Sequence, residues 1–495
     1  MQFISFYFIV FICFFLIGYY IVPGRFRYLF LLVCNIFFYL SWTAHIEDVI
    51  SIVSVICITW LGAKVIEKTL NSKIQKCGLI ATIIFTIGSL IYFKYASFLF
   101  GNISTILSCI GININVNFKN PFMPIGISFF TFQALSYVFE VYKKKMGTEK
   151  NIFFYATYVT FFPTILSGPI ERPNGLLQQI KELGQKGFEF SNVRNGIVLA
   201  IWGGYIKYVI VNRFSIIADT VFNTYDSQGM VVLVFGAICY TLQIYCDFLA
   251  YSIIAAGLGK MLGIELTENF NAPYFSRSIQ EFWRRWHISL STWFRDYVYI
   301  PLGGSRCSAL RKNCNLFVTF LVSGLWHGAN WTYVIWGMIH GIYQIIGNIT
   351  KPYRKWIYEH FQVNQNCFSF RWGQRACTFI LVAFAWIFFR ADSLPTAIAY
   401  ITRMISEFDI WNLFNHSIYN LGLDILQMNI LFISFNILLF IDYLKYKTNK
   451  NIDTLLFEQN YLFYCAAIII LFVSTFVFGM YGPDFNAQDF IYFQF

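Results

Sequence analysis

Charged residues are scarce in this sequence. Asp, Glu, Lys and Arg make up 12% of the 495 residues, whereas 57% are hydrophobic and 21% are aromatic. Apolar runs of about 20 residues, the length that crosses a bilayer, recur along the whole chain. A soluble protein cannot bury this much apolar surface, so the composition excludes that class. It predicts an all-α polytopic membrane protein with room for about twelve membrane-spanning helices.

Paired cysteines are also lacking. The twelve cysteines are scattered, and no CxxC spacing occurs. Neither a disulfide framework nor a zinc site is indicated, and no bound metal is predicted. Basic clusters within a nucleic-acid-binding signature are absent as well. The net charge of +11 is therefore assigned to cytoplasmic loops, and no nucleic-acid partner is expected.

The loop charges predict the orientation in the membrane. Arg25 and Arg27 follow the first apolar run, lysines recur over residues 64–76, and further lysines over 445–450 precede the last run. By the positive-inside rule these loops are cytoplasmic. The residues after 478 contain no basic side chain. Both termini are therefore predicted to be extracytoplasmic, and the charged residues 351–375 are predicted to form a cytoplasmic loop.

One stretch, residues 281–327, is rich in Arg and Trp in its first half and apolar in its second. At 100° per residue, Arg284, His287 and Arg295 fall on one face of a helix and the tryptophans fall on the other. This spacing predicts one amphipathic helix, interfacial or re-entrant, that ends near Pro301. The basic residues concerned are Arg284, Arg285, Arg295 and Arg306. These arginines are either interfacial anchors or a surface that faces a phosphate-bearing substrate.

The end of this stretch is free of charge. No Asp, Glu, Lys or Arg occurs between Asn313 and Thr350, and His327 lies within this run. An apolar environment disfavours the charged imidazolium, and a neutral imidazole in a dry site is a competent general base. The alternative is a core histidine that is bonded to a backbone carbonyl, although ionisable groups inside membrane segments are usually functional. His340, thirteen residues on, would point away from His327 and is predicted to be structural.

Two segments resemble the signature of the membrane-bound O-acyltransferase family: FWRRWHISLSTWFRDYVYIPLGG from Phe282 and SGLWHGANWTYVIWG from Ser323. The resemblance is closest to the bacterial branch that O-acetylates alginate and other polysaccharides, with the D-alanyl transfer proteins as a more distant branch. It implies that His327 is catalytic and that His287 is functionally important. It also implies a single membrane domain with re-entrant helices around a central tunnel. The expected divisions are spans in 1–120, a catalytic core in 121–400, and further spans with an extracytoplasmic aromatic tail in 401–495.

Three further site residues follow from this resemblance. Asp247 lies in IYCDFLAYS, similar to a family segment that usually reads Asp-Phe-Ser-Gly-Tyr, and it either lines the site or pairs with a basic residue such as Lys207. Asn330, close to His327, is a candidate to polarise the carbonyl of the acyl donor. Tyr492 lies in an aromatic ending like that of relatives in which a C-terminal tyrosine carries the acyl group. Its alternative role is an aromatic tail that re-enters the interface.

The function implied by the resemblance is transfer of an acyl group, most simply acetyl, from acetyl-coenzyme A to an extracytoplasmic or cell-wall polysaccharide. The enzyme would lie in a bacterial plasma membrane, surrounded by lipid, with no permanently bound cofactor. An extracytoplasmic SGNH-type acyltransferase is the expected partner. Two alternatives are D-alanyl transfer to teichoic acid and transport of a lipid-linked sugar, since buried His and Asp also suit transport.

Overall fold

A computed structural model describes residues 5–43, 45–112, 123–166, 168–415 and 417–481. All regular secondary structure within these residues is helical. The chain forms two compact units. The first contains the described residues up to Ala200 together with Ile254–Thr267, and the second contains Ile201–Ile253 and the described residues from Glu268 onward.

The described residues of the first unit form ten α-helices, and the last of these helices extends a few residues into the second unit. They are α1 (Phe6–Ile21), α2 (Arg27–Leu40), α3 (Ile46–Lys68), α4 (Ser72–Leu90), α5 (Ala96–Cys109), α6 (Ile127–Tyr142), α7 (Ile152–Val159), α8 (Phe162–Ile165), α9 (Gln178–Glu182) and α10 (Phe190–Tyr205). Side chains cap several of them: Ser5, Asn71 and Asn151 each accept a hydrogen bond from the backbone of the first turn.

The second unit contains the remaining helices, and the end of α12 extends into the first unit. They are α11 (Asn212–Asn223), α12 (Met230–Met261), α13 (Ile279–Arg285), α14 (Ile288–Phe294), α15 (Ala309–His327), α16 (Trp331–Ile349), α17 (Lys351–His360), α18 (Phe368–Arg390), α19 (Leu394–Ser406), α20 (Ile425–Thr448), α21 (Ile452–Phe457) and α22 (Tyr461–Phe478). Two π-helical turns, Ile206–Val211 and Arg295–Tyr299, lie in this unit.

Among the described residues, seven helical runs are long and apolar enough to cross a membrane. They are Ile46–Lys68, Ser72–Cys109, Phe190–Asn223, Met230–Met261, Phe368–Arg390, Ile425–Thr448 and Tyr461–Phe478. The predicted all-α, multi-pass architecture is confirmed, but length and composition support fewer than the predicted twelve spans. The difference has a physical reason, because several of the apolar runs form helices of only 16 residues, as α1 and α6 do.

Helices α15 and α16 pack with their backbones in close contact. A Cβ atom on Gly324 would lie 2.4 Å from the carbonyl oxygen of Tyr333, and one on Gly337 would lie 2.4 Å from that of Phe320. Only glycine fits at both positions, which is the small-residue packing common between membrane helices. This contact places the C-terminal end of α15, where His327 lies, beside the first turns of α16.

Candidate active site

The predicted amphipathic helix is broken at His287. Helix α13 ends at Arg285 and α14 begins at Ile288, with His287 in the left-handed backbone region at φ 42°. The prediction of one continuous helix is therefore wrong. Residues 269–271 stabilise the break by bonding to the backbone on both sides of it. The Ile288 amide donates to the Asn269 carbonyl at 3.0 Å, and the Asn271 amide donates to the Arg285 carbonyl at 3.0 Å.

The break changes the surroundings of the His287 side chain. In a continuous helix His287 would lie on the same face as Arg284, which is exposed. With the break, both His287 and the preceding Trp286 are buried. The imidazole of His287 packs against the ring of Phe248, with 4.6 Å between the ring centroids. Because of the break, His287 lies in the interior and not on the charged surface that a continuous helix would have given it.

Asn269 orients the His287 ring. Its side-chain amide group donates to the Ser252 hydroxyl at 3.2 Å, and its side-chain oxygen accepts from the Ser289 hydroxyl at 2.6 Å. The same oxygen lies 3.4 Å from Nδ1 of His287. A hydrogen bond at this contact requires Nδ1 to carry the proton, because an amide oxygen only accepts, and Nε2 is the acceptor in that tautomer.

His327 is the last residue of α15 and is buried. Aromatic rings surround its imidazole: the centroid of Trp326 lies 4.9 Å away, that of Trp336 4.9 Å and that of Phe389 5.2 Å. A helix C-terminus carries partial negative charge, which stabilises a cation formed there. The imidazole of His327 is therefore shielded from water and can still accept a proton.

Trp326 connects the two histidines. Its ring centroid lies 4.9 Å from that of His327 and 6.2 Å from that of His287. The structure thus brings together the two histidines that the sequence predicted to be catalytic, although 40 positions separate them. We call the side chains of His287, Trp326, His327, Trp336 and Phe389 the histidine cluster.

The ring of Trp336 packs against both His327 and His340. The centroid of Trp336 is 4.9 Å from that of His327 and 5.0 Å from that of His340. Nδ1 of His340 accepts a hydrogen bond of 3.2 Å from the indole nitrogen of Trp283. This contact supports the predicted structural role, because the histidine holds the indole ring of Trp283 in place.

A cavity of about 210 Å³ adjoins this region within the second unit. Trp283 forms part of its wall, and so does Ser323, one helical turn before His327. Arg284 and Arg295 line the cavity, which places two of the predicted substrate-binding arginines at one void. The other lining residues are Gln280, Leu290, Ser291, Phe294, Tyr299, Leu316, Thr319, Phe320 and Gln344.

Comparison with known proteins identifies the family. A model described as MBOAT, membrane-bound O-acyltransferase family, matches residues 38–387, which is more than half of the chain. The chain belongs to the membrane-bound O-acyltransferase family. It is 38% identical to a probable alginate O-acetylase of Pseudomonas syringae over 77% of this chain and 70% of the relative. It is 30% identical to a peptidoglycan O-acetyltransferase of Helicobacter pylori over 79% of this chain and 76% of the relative.

A third relative of this acyltransferase is more distant. The teichoic acid D-alanyltransferase of Bacillus subtilis is 29% identical over 47% of this chain and 60% of the relative. The family membership confirms the resemblance that was predicted from the segments around His287 and His327. It also establishes that the protein is an acyltransferase-family enzyme of the membrane.

Several predicted substrate-binding residues of the acyltransferase have partners within the chain, and Nε of Arg295 donates to Oδ1 of Asp296 at 2.8 Å. Arg285 pairs with Glu281 at 3.1 Å, and its guanidinium lies 4.7 Å from the ring centroid of Tyr446. The Asn330 amide accepts from the Thr332 backbone at 3.1 Å and donates to the Asp392 carbonyl at 2.9 Å. Asn330 therefore caps α16. Neither Arg285 nor Asn330 lines the cavity, and the exposed Arg306 does not line it either.

Asp247 forms a buried ion pair with Lys207. Nζ of Lys207 lies 2.7 Å from Oδ1 of Asp247, and the side chains are 6% and 1% exposed. Lys207 lies in the π-helical turn Ile206–Val211, a feature that often marks functional sites. Of the two interpretations that the sequence left open, the structure shows the pairing with Lys207. Tyr492 lies outside the described residues.

Sequence reasoning assigned no role to Asn269 or to the tryptophans that surround the histidines. Asn269 opens the run NFNAPYFSRSIQEF, and only its position in a family-like run could have singled it out. Its contact with His287 crosses 18 positions and depends on the break between α13 and α14. Periodicity assigned Trp283 and Trp286 to an apolar face, and it could not show which of them contacts a histidine.

Replacement of Asn269 by alanine is expected to lower acyl transfer about tenfold or more, because an unpaired buried donor costs about 1–3 kcal/mol. The change leaves the Ser289 hydroxyl and Nδ1 of His287 without their common acceptor. The measurement is the initial rate of the purified variant at matched concentration. Ser252→Ala is the matched control, since it removes a partner of Asn269 and keeps the His287 contact. Equal rates for the two variants would contradict the orienting role.

Proposed function

We propose that this enzyme transfers an acetyl group from acetyl-coenzyme A to hydroxyl groups of an extracytoplasmic or cell-wall polysaccharide. The observation that carries the proposal is the burial of His327 in an aromatic cluster beside an arginine-lined cavity. The relatives support acetyl as the transferred group. The alginate O-acetylase and the peptidoglycan O-acetyltransferase, at 38% and 30% identity, are both named as O-acetylating enzymes. The D-alanyltransferase matches less than half of this chain.

His327 acts as the general base in this proposal. Its neutral imidazole removes the proton from the accepting hydroxyl, and the hydroxyl oxygen attacks the carbonyl carbon of the thioester. The carbon–sulfur bond then breaks, and the coenzyme A thiolate takes the proton back from the imidazolium. The C-terminal end of α15 stabilises that imidazolium while it exists. The surrounding rings of Trp326, Trp336 and Phe389 exclude water that would otherwise hydrolyse the thioester.

The arginine-lined cavity supports a phosphate-bearing donor. Arg284 and Arg295 line the cavity, and guanidinium groups bind phosphate through paired hydrogen bonds. Nε of Arg295 donates to Asp296 at 2.8 Å, so Arg284 is the stronger candidate of the two. The cavity wall extends to Ser323, one turn from the base His327. A donor held by the arginines would therefore have its thioester end directed toward the histidine cluster. The donor binds transiently and is consumed, so no permanent cofactor is part of the proposal.

The setting in the cell is also part of the proposal. The enzyme lies in a bacterial plasma membrane with both termini extracytoplasmic, and it works with an SGNH-type acyltransferase outside the membrane. In this arrangement the hydroxyl that His327 deprotonates is the Tyr492 phenol, which takes the acetyl group as a phenyl ester while coenzyme A leaves. The partner then moves the acetyl group to a polysaccharide hydroxyl, and the phenol takes up the proton that this hydroxyl releases. Support for this arrangement comes from the loop charges and from the aromatic ending of the sequence.

Ester analysis of the cell envelope tests the function. Polysaccharide from a deletion strain, and from the same strain carrying the wild-type gene, is assayed for ester-linked acetate and ester-linked D-alanine. We expect acetate to be lost on deletion and restored by the gene, with D-alanine unchanged. Loss of D-alanine alone would indicate the teichoic acid reaction, and loss of neither would favour transport. Full acetate in a Tyr492→Phe strain would refute the relay through Tyr492.

A further inference from the structure

Helix α17 occupies the segment that the sequence predicted to be a cytoplasmic loop. It begins at Lys351, two residues after α16 ends, and its ten residues are too few to cross a bilayer. Every residue of the helix except Tyr358 is exposed. The Arg354 guanidinium donates to the Gly347 carbonyl at 2.8 Å, which ties the helix to the end of α16. It is therefore an ordered surface helix.

One face of α17 is apolar and exposed. Tyr353, Trp356 and Ile357 follow the spacing of one helix face and are 68%, 60% and 42% exposed. Phe361, directly after the helix, is 67% exposed and extends the same surface. An amphipathic helix on a protein surface normally turns such a face inward. No part of the described chain covers it here.

The opposite face of α17 is basic. It carries Lys351, Arg354 and Lys355, and its one acidic residue, Glu359, lies 3.5 Å from Lys355 in an exposed ion pair. The face therefore keeps a net positive charge. An aromatic face opposite a basic face is the pattern of helices that lie in the bilayer interface.

The next helix indicates what covers the apolar face. Helix α18 begins at Phe368 and is one of the seven candidate membrane spans. Its first turns expose Phe368 and Trp372, at 76% and 45%, and Arg371 lies between them. The exposed aromatic residues thus continue from α17 into a candidate membrane span. The partner that fits both is the membrane surface itself.

We infer that α17 lies in the plane of the cytoplasmic membrane surface and binds anionic phospholipid headgroups through Lys351 and Lys355. Its aromatic face enters the boundary between headgroups and acyl chains, about 5–10 Å deep. The lysines lie at the headgroup level, where the anionic cytoplasmic leaflet attracts basic residues. This holds α16, whose Trp336 contacts His327, at a constant depth in the bilayer. The inference does not depend on which acyl group the enzyme transfers.

Quenching of tryptophan fluorescence tests the depth of the helix. The full-length protein and a Trp356→Phe variant are reconstituted into vesicles of phosphatidylglycerol and phosphatidylcholine, with and without bromine on the acyl chains. The difference between the two proteins reports on Trp356. We expect brominated chains to lower this difference emission at least about twofold. Equal emission with and without bromine would overturn the inference and indicate that a protein or water faces the helix.

Charge variants test the headgroup part. Lys351→Gln/Lys355→Gln is compared with Lys447→Gln/Lys450→Gln, which removes the same charge at the end of α20. One basic residue near an anionic surface changes binding about fivefold. We therefore expect the fraction of brominated phosphatidylglycerol needed for half-maximal quenching of Trp356 to rise in the first variant and stay unchanged in the second. An equal response of both variants, or of neither, would overturn the assignment of the two lysines.

Discussion

Replacement of His327 by alanine is expected to lower acyl transfer by about 10²–10⁴-fold, the contribution of a positioned general base, while the protein stays in the membrane. The side chain is buried among Trp326, Trp336 and Phe389, and the structure offers water little access to replace it as a base. The measurement is polysaccharide-linked acetate in cells, normalised to the amount of enzyme in the membrane fraction.

Two further variants make this experiment decisive. His45→Ala removes an exposed histidine that lies directly before α3, and it should keep wild-type activity. His327→Gln keeps much of the side-chain volume and removes the base, so it separates lost chemistry from a packing defect. An acetate level near wild type in either His327 variant, with normal abundance, would mean either that His327 is structural or that the transferred group is not acetate. Ester-linked D-alanine in the same cells would then distinguish these two outcomes.

Replacement of Asp247 by leucine is expected to destabilise the protein by about 3–5 kcal/mol, because it leaves the Lys207 charge buried without its carboxylate. The two side chains are 2.7 Å apart and almost fully buried. A loss of this size is a large fraction of the stability of most proteins. The variant should therefore be depleted from the membrane and should unfold at lower temperature after extraction in detergent.

The double variant Lys207→Met/Asp247→Leu is the matched control. Replacing both members of a buried pair by apolar residues is often neutral, so we expect abundance to return. The activity of this folded double variant separates the two roles that Asp247 could have. Full activity would mean that the pair is structural, and a folded but inactive protein would mean that the pair contributes to the site. Normal abundance of the single variant would contradict the large cost of an unpaired lysine.

Local patterns were sufficient for much of the architecture. The apolar runs predicted a multi-pass helical protein, because bilayer thickness sets the length of such runs. The segments around His287 and His327 were sufficient to predict the family and its histidines. Both predictions depend on information that is contiguous in sequence, as composition and motifs are.

The error at His287 occurs where the backbone depends on distant residues. His287 takes a left-handed conformation because residues 269–271 pair with both sides of the break, and nothing within the helix-like sequence marks that position. The error at α17 has a different cause, because its signal is local. That segment was predicted to be a loop from its charge, and the helical spacing of Tyr353, Trp356 and Ile357 was not considered.

By itself, the sequence determined that this protein is an all-α membrane enzyme of the O-acyltransferase family with two candidate catalytic histidines. These properties follow from hydropathy, periodicity and motif, which are local. Only the tertiary structure decided that Trp326 contacts both His287 and His327, that Lys207 pairs with Asp247, and that Arg284 and Arg295 share a cavity. These are contacts between segments far apart in the chain, and packing of the helices determines them.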